Sequence, residues 1–261
     1  MSGPGALESH LRARRDAGHK LLVPYVTGGL AENWVDVLRA MTAAGADAVE
    51  VGIPFSDPVM DGPTIQAASQ RSLERGATPL GVLAELRTVD VAIPLVAMTY
   101  YNVVFRTGHR RFARSLADDG VAGAIVPDVP LEELDPWAAA ADDAGVETVL
   151  LASPVTPEDR LARICQRSRG FVYGVSAMGI TGERQALGAS AAVMAKRLKA
   201  VTDLPVLIGF GVSTPAQAAE AGAVADGVIV ASALMRRMLD GASPDEVGAS
   251  VAELRAALDA G

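Results

Sequence analysis

Two carboxylates, Glu50 and Asp61, flank the segment of this sequence that is richest in residues able to do chemistry. Glu50 lies between Val49 and Val51, in a short β-branched run that is typical of a strand. Side chains alternate between the two faces of a strand. If the valines face a layer of helices, Glu50 therefore points to the interior. A carboxylate in an apolar interior tends to have a raised pKa and can act as a general acid or base.

Asp61 ends the loop after Glu50 and can return a second carboxylate to the same cavity. The run Asp61-Gly62-Pro63-Thr64 also begins a predicted helix, so a purely structural interpretation makes Asp61 a helix cap and Glu50 a solvated strand end. Spacing alone favours that structural interpretation, because carboxylates are also perturbed for structural reasons. Asp57, in the same proline-containing loop, is expected to be an exposed charge or a partner contact.

Two segments near the end of the chain are candidates to bind phosphate. Gly209 to Ser213 and Ala231 to Ser232 each follow a predicted strand. Glycines let backbone N–H groups approach an anion, and a helix beginning at Ser232 offers free amides and a positive dipole end. Gly209-Phe210-Gly211 lacks the third glycine of a dinucleotide fingerprint and is a weak signal by itself. Its place after a late strand makes phosphate the favoured ligand.

The segment from Ser176 to Gln185 is long and contains glycines. It fits either a lid that excludes water from a site or a surface excursion without fixed structure.

Residues that are rare in this chain exclude other chemistries. The three lysines are predicted to lie at a strand start or within a helix, where none can form a Schiff base with substrate: Lys20, Lys196 and Lys199. The three histidines are scattered and predict no metal cluster: His10, His19 and His109. The single cysteine, Cys165, excludes an intrachain disulfide and a cysteine-cluster metal site.

These segments are positioned by a repeated pattern of an Ala-rich helix, a glycine and a short β-branched run. Four such glycines are expected to take the left-handed conformation that ends a helix: Gly45, Gly120, Gly145 and Gly222. The pattern predicts eight strands, at Leu21–Val26, Ala48–Val51, Pro94–Met98, Gly123–Val126, Thr148–Leu151, Phe171–Val175, Pro205–Ile208 and Gly227–Val230. Helices are predicted near residues 32–44, 62–75, 109–118, 132–143, 157–167, 190–199, 214–221 and 244–259, with extra ones near 6–17 and 79–89.

Eight strands, each followed by a helix, predict a single (β/α)8 TIM barrel over residues 1–261, with extra helices at the N-terminus and after strand eight. Active sites of such barrels lie at the C-terminal ends of the strands, where the segments described above fall. The chain of 261 residues has a net charge of −8, which argues against nucleic-acid binding. It shows no signal peptide and no apolar run of membrane-spanning length, so a soluble cytoplasmic protein is expected.

The loop motifs are similar to those of the tryptophan synthase alpha chain family. The most specific match is Val51-Gly52-Ile53-Pro54-Phe55-Ser56-Asp57-Pro58 followed by Asp61-Gly62-Pro63-Thr64-Ile65-Gln66. Further matches keep the family order along nearly the whole chain: Val23–Gly29, Met98–Asn102, Pro127–Pro130, Tyr173 with Gly179–Gly182, and Gly209–Ser213.

The resemblance implies a lyase that cleaves indole-3-glycerol phosphate to indole and glyceraldehyde 3-phosphate in tryptophan biosynthesis. It implies that Glu50 is the acid–base group and that Asp61 hydrogen-bonds the indole N–H and stabilises the charge that develops there. Five further residues are implied to bind substrate: Tyr25, Met98, Tyr100, Tyr173 and Thr181. Five residues are implied to hold the phosphate: Gly182, Phe210, Gly211, Ala231 and Ser232.

This chain departs from the family at Ala231, where a glycine is usual. The substitution is harmless if the backbone there is right-handed and unfavourable if a positive φ is needed. Ala177 and Met178 replace more polar lid residues of some relatives.

The resemblance also implies a partner, a beta chain with which two alpha chains form an α2β2 tetramer. The implied contacts are Pro54, Phe55, Ser56, Asp57 and Pro58. No cofactor is implied in this chain, and pyridoxal phosphate is expected in the beta chain. Three alternatives stay open: a mainly regulatory subunit that cleaves poorly, a stand-alone indole-releasing enzyme, and another phosphate-handling barrel enzyme such as a sugar isomerase.

Overall fold

Eight parallel strands close into a barrel in their order along the chain. The computed structural model describes residues 3–175, 184–209 and 211–261. The strands are β1 (Leu21–Thr27), β2 (Val49–Gly52), β3 (Leu95–Met98), β4 (Val121–Ile125), β5 (Glu147–Ala152), β6 (Val172–Val175), β7 (Val206–Gly209) and β8 (Gly227–Val230). Pairing of β1 with β8 closes the sheet. The predicted (β/α)8 barrel is confirmed.

Helices surround the strands in the described part of the chain. They are α1 (Ala6–Asp16), α2 (Trp34–Ala43), α3 (Pro63–Glu74), α4 (Pro79–Leu86), α5 (Tyr101–Thr107), α6 (His109–Asp118), α7 (Asp135–Ala144), α8 (Glu158–Arg167), α9 (Arg184–Lys199), α10 (Pro215–Val224), α11 (Ser232–Leu239) and α12 (Pro244–Asp259), with a 3₁₀ turn at Leu131–Glu133. The expected extra helices before β1 and after β8 are present as α1 and α11. Among the described residues, no helix has the length and apolar character needed to cross a membrane.

The apolar core has two layers, one inside the barrel and one between the strands and the helices. Val49 and Val51 of β2 belong to the outer layer together with residues of α2, whereas Ala48 and Val96 belong to the interior cluster. The interior is plugged at the N-terminal ends of the strands by Leu7 of α1 and its neighbour Leu11, which are fully buried. The valines therefore face the helices, as expected from the alternation along the strand.

The bottom of the barrel is held by buried carboxylates. Glu147 accepts hydrogen bonds from the N–H groups of Leu7 and Glu8, at 2.7 and 3.0 Å, and so caps α1 from the start of β5. Asp47 accepts from Arg14 Nε at 2.7 Å and from the Leu22 N–H at 2.9 Å. These contacts hold α1 and β1 in place at the N-terminal ends of the strands, which is the end of the barrel opposite to the candidate site.

Three features differ from the sequence-based expectations. The helix expected near 190–199 begins at Arg184, and α5 was not predicted. The residues of α5 are mostly aromatic or β-branched and are poor helix formers, but Asp128 accepts a hydrogen bond from the Tyr101 N–H at 2.8 Å and satisfies its first turn. Gly222 lies inside α10 rather than ending it, in a position where a Cβ would lie 2.6 Å from Leu258 of α12. The other three glycines have the expected positive φ: Gly45, Gly120 and Gly145.

Candidate active site

Glu50 lies inside the mouth of the barrel with 3% of its surface exposed. Its register partners on the neighbouring strands are Tyr25 and Val96. Its buried Oε2 has no hydrogen-bond partner among the described residues. Burial first, and then the nearby charge of Asp61, raises the pKa of Glu50 from its ordinary value of 4.5 to about 8. The interpretation of Glu50 as a solvated strand end is therefore wrong.

Asp61 returns from the loop after β2 to the same cavity and is half-buried. Burial raises its pKa to about 6, while a hydrogen bond from the Tyr100 hydroxyl acts in the opposite direction. The N-cap of α3 is Gly62, and no side chain caps that helix end. The interpretation of Asp61 as the helix cap is therefore also wrong.

The hydroxyls of Tyr25 and Tyr173 are buried against strand-end glycines. A Cβ at Gly52 would overlap Tyr25 Oη, and one at Gly209 would overlap Tyr173 Oη. The charges of Glu50 and Asp61 reach both tyrosines and, together with burial as the larger cause, raise the pKa of each. The fold thus brings two carboxylates and two neutral phenols into one cavity.

Tyr100 and Met98 form the side of the cavity near β3. Tyr100 Oη accepts a hydrogen bond from the Met60 N–H at 3.0 Å, and its ring stacks on Phe55 with centroids 5.1 Å apart. Met98 is half-buried and contacts both apolar layers. These contacts link the loop that carries Asp61 to the end of β3.

The candidate phosphate segments have two different backbone conformations. Gly211 has φ +97°, which favours glycine. Ala231 is the N-cap of α11 with φ −117° and ψ −72°, so its methyl group meets no backbone strain. Ser232 is the first residue of α11, and the N–H groups of a first helical turn have no intrahelical acceptor. Three predicted substrate and phosphate residues lie outside the described part of the chain: Thr181, Gly182 and Phe210.

The predicted partner loop has an exposed tip. Ser56 and Asp57 are exposed, and the Ser56 hydroxyl donates to Asp57 Oδ2 at 2.5 Å. Phe55 and Pro58 are half-buried, and Pro54 is buried. Two apolar residues extend this tip beyond the five implied contacts: Val59 is 79% exposed and Met60 is 47% exposed.

Other titratable residues take part in structural contacts instead. Lys20 Nζ donates to the Ala225 carbonyl at 3.0 Å, and Lys199 pairs with Asp226 at 2.6 Å. Within the described ranges, no group of three or more His, Cys, Asp or Glu side chains could hold a metal ion. The cavity is therefore suited to moving protons between carboxylates and a bound molecule, with phenols held neutral beside them.

The site also contains residues that sequence reasoning did not assign a role. Thr27 donates from Oγ1 to Tyr25 Oη at 3.2 Å, and Gly52 provides the space for that tyrosine. Thr27 lies two residues after Tyr25 on the same strand, and Gly52 adjoins Tyr25 through the pairing of β1 with β2. The contacts themselves depend on strand pairing and side-chain orientation, which sequence order does not reveal.

Comparisons with known proteins agree with this geometry. The family model described as "Tryptophan synthase alpha chain" matches residues 11–259. The alpha chain of Thermobifida fusca is 41% identical over 98% of this chain and 97% of that protein, and that of Methanosarcina mazei is 43% identical over 89% and 86%. A solved structure of Mycobacterium tuberculosis tryptophan synthase has TM-score 0.90 and 37% identity, covering 98% of this chain and 99% of that chain.

Proposed function

Since the chain belongs to the tryptophan synthase alpha chain family, the lyase subunit that cleaves indole-3-glycerol phosphate, we propose that Glu50 and Asp61 carry this reaction here. The carrying observation is a pair of carboxylates in one cavity whose pKa values are separated, about 8 for Glu50 and about 6 for Asp61. Such a separation assigns different protonation states, and hence different roles, to two otherwise similar groups.

Glu50 acts first as the general acid. Near neutral pH its buried carboxyl group keeps its proton, because its pKa is raised to about 8. It gives that proton to C3 of the indole ring, and the positive charge spreads to the ring nitrogen. The carbon–carbon bond to the side chain is then polarised for cleavage.

Glu50 acts next as the general base. Its carboxylate takes the proton of the hydroxyl on the side-chain carbon attached to C3. As the O–H bond breaks, the aldehyde C=O forms. The electron pair of the cleaved carbon–carbon bond moves to the ring and neutralises its positive charge. The products are indole and glyceraldehyde 3-phosphate. The first proton stays on C3 of indole, and Glu50 is protonated again by the proton from the hydroxyl.

Asp61 stabilises the charge on the ring between these steps. With a pKa of about 6 it is mostly ionised near neutral pH, when Glu50 is still protonated. Its carboxylate accepts a hydrogen bond from the indole N–H, and that interaction strengthens as the ring becomes cationic. Tyr25, Met98, Tyr100 and Tyr173 line the pocket for the ring, with Thr181 assigned by resemblance.

The phosphate group is held by backbone amides at the other side of the cavity. Gly211, Ala231 and Ser232 supply these amides, and Gly182 and Phe210 join them by resemblance. The negative φ of Ala231 supports an N–H that remains available despite the added methyl group. Local amides are needed because the net charge of −8 repels an anionic substrate.

The chain works with a beta chain in an α2β2 tetramer, and pyridoxal phosphate belongs to that partner. The exposed tip at Ser56 and Asp57, with the apolar Val59 and Met60 beside it, supports docking through the 54–58 loop. We place the assembly in the cytoplasm. A single domain over residues 1–261 is supported by α1 and α12, which both pack on the barrel.

The test is the rate of indole release from indole-3-glycerol phosphate, measured for the purified chain alone and with a beta chain. Turnover that rises on mixing supports the complex, and full turnover alone would indicate a stand-alone enzyme. Glu50→Gln should lose about 10²- to 10⁴-fold in turnover, the usual contribution of a general acid–base group. Wild-type turnover in this variant would overturn the assignment. Substrate that is bound but not cleaved by the wild-type complex would favour a regulatory subunit.

A further inference from the structure

Thr27 is the last residue of β1 and is fully buried. Its hydroxyl donates to Tyr25 Oη at 3.2 Å, and its backbone N–H donates to Met235 Sδ on α11 at 3.3 Å. Residues two apart on a strand share a face, so Thr27 and Tyr25 both point into the barrel mouth. The Thr27 hydroxyl is thus hydrogen-bonded to Tyr25, a residue that lines the cavity.

The Tyr25 hydroxyl has little freedom to move away from this contact. Gly52 is the register partner of Thr27, and a Cβ at Gly52 would overlap Tyr25 Oη. The register partner of Tyr25 itself is Glu50. The phenol oxygen is therefore held between β1 and β2, on the side from which Glu50 enters the cavity.

A phenol that accepts a hydrogen bond from Thr27 has its own proton left to donate. The strongest acceptors nearby are the carboxylates of Glu50 and Asp61, whose charges add to burial in raising the pKa of Tyr25. Tyr25 consequently stays neutral and keeps a proton that it can donate. A hydroxyl that rotates freely would spend part of its time pointing elsewhere.

We propose that Thr27 is a positioning residue for the cleavage, because its hydroxyl directs the Tyr25 O–H toward the carboxylate pair. Thr27 itself exchanges no proton with substrate. The directed Tyr25 O–H stabilises Glu50 in the ionised form that follows its first proton transfer. This inference depends on the proposed function, since it assigns Tyr25 a task only if Glu50 is the acid–base group.

The test uses Thr27→Val, which keeps the shape of the side chain and removes the donor, and Thr27→Ser, which keeps the donor. Thr27→Val should lower kcat about 3- to 10-fold, the effect of one neutral hydrogen bond, with KM within about twofold. Thr27→Ser should keep a kcat close to that of the wild type, because it retains the hydroxyl donor. The basic limb of the kcat pH profile should move to higher pH in Thr27→Val, in the same direction as in Tyr25→Phe, because ionised Glu50 is less stabilised.

A double variant separates positioning from a structural role. In the Tyr25→Phe background, Thr27→Val should cause no further loss of kcat, because no phenol remains to direct. The proposal would be overturned if Thr27→Val lowered kcat as much in the Tyr25→Phe background as in the wild type. It would also be overturned if the single variant Thr27→Val kept the wild-type kcat and the basic limb of its pH profile did not move. Thr27→Ala is a second hydroxyl-free variant if Thr27→Val does not fold. An inactive Glu50→Gln alongside a fully active Thr27→Val refutes only the role of Thr27, whereas an active Glu50→Gln refutes the proposed function and this inference with it.

Discussion

Replacing Glu50 with Gln should stabilise the fold at neutral and alkaline pH while it removes activity. Glu50 is 3% exposed and its Oε2 lacks a hydrogen-bond partner among the described residues, so its ionised form is unfavourable in the folded chain. Gln cannot ionise and has nearly the same shape. The variant therefore removes the penalty for a buried negative charge that catalysis requires.

The magnitude follows from the pKa of Glu50, which burial raises from 4.5 to about 8. Between these values the folded chain binds more protons than the unfolded chain, so the free energy of unfolding falls as pH rises. The stability associated with this proton is fully present below 4.5 and is lost as pH rises to about 8. At about 1.4 kcal/mol for each pKa unit, the difference between Glu50→Gln and wild type should grow by about 3 kcal/mol from about pH 5 to about pH 8.

Urea unfolding of both proteins at a series of pH values measures this difference, because the other titrating groups contribute to both. The matched control is Glu147→Gln, the same change in a buried glutamate at the opposite end of the barrel. That variant should lose about 1 to 3 kcal/mol, since the amide leaves one N–H of α1 without its acceptor, and should keep its indole release. A difference for Glu50→Gln that stays flat between about pH 5 and pH 8 would refute the reasoning that burial keeps Glu50 protonated.

Further substitutions test the rest of the site and its scaffold. Wild-type kcat/KM should rise with pH through about pH 6, as Asp61 ionises, and fall through about pH 8, as Glu50 ionises. Asp61→Asn should remove the rise near pH 6 and lower indole release about 10²-fold. An unchanged rise in this variant would assign the acidic limb to another group. Gly52→Ala should displace the Tyr25 ring, lower kcat by up to about 10²-fold and lower the free energy of unfolding by about 1 to 3 kcal/mol. Wild-type kcat would show that the ring has room. Ala231→Gly should leave KM within about twofold, because φ is already negative, and a tenfold fall in KM would show that bound phosphate needs positive φ. Asp47→Asn should lower the free energy of unfolding, measured in urea, by about 3 kcal/mol. The Asp47 carboxylate is 2% exposed and accepts hydrogen bonds from two arginines and a strand N–H. A loss below about 0.5 kcal/mol would contradict this.

The barrel was predictable from local periodicity, and the same periodicity predicted the orientation of Glu50 on the condition that the neighbouring valines face the helices. Alternation along β2 places Val49 and Val51 against the helices and Glu50 inside, as the two apolar layers confirm. The repeated helix–glycine–strand units predicted eight strands, and each lies within a few residues of its expected place. Helix α5 was missed because it is stabilised by Asp128, a residue far along the chain.

The sequence by itself determined the order of the βα units, the loops that carry function, and the types of residue available for chemistry, because patterning and turn residues act over short distances. Only the tertiary structure decided that Asp61 belongs to the cavity rather than to the end of α3, and that Glu50 holds its proton to about pH 8. It alone also placed the Thr27 hydroxyl on Tyr25. The physical reason is that burial, charge–charge interaction and hydrogen-bond geometry depend on the three-dimensional distances and orientations of the groups, which local patterning does not specify.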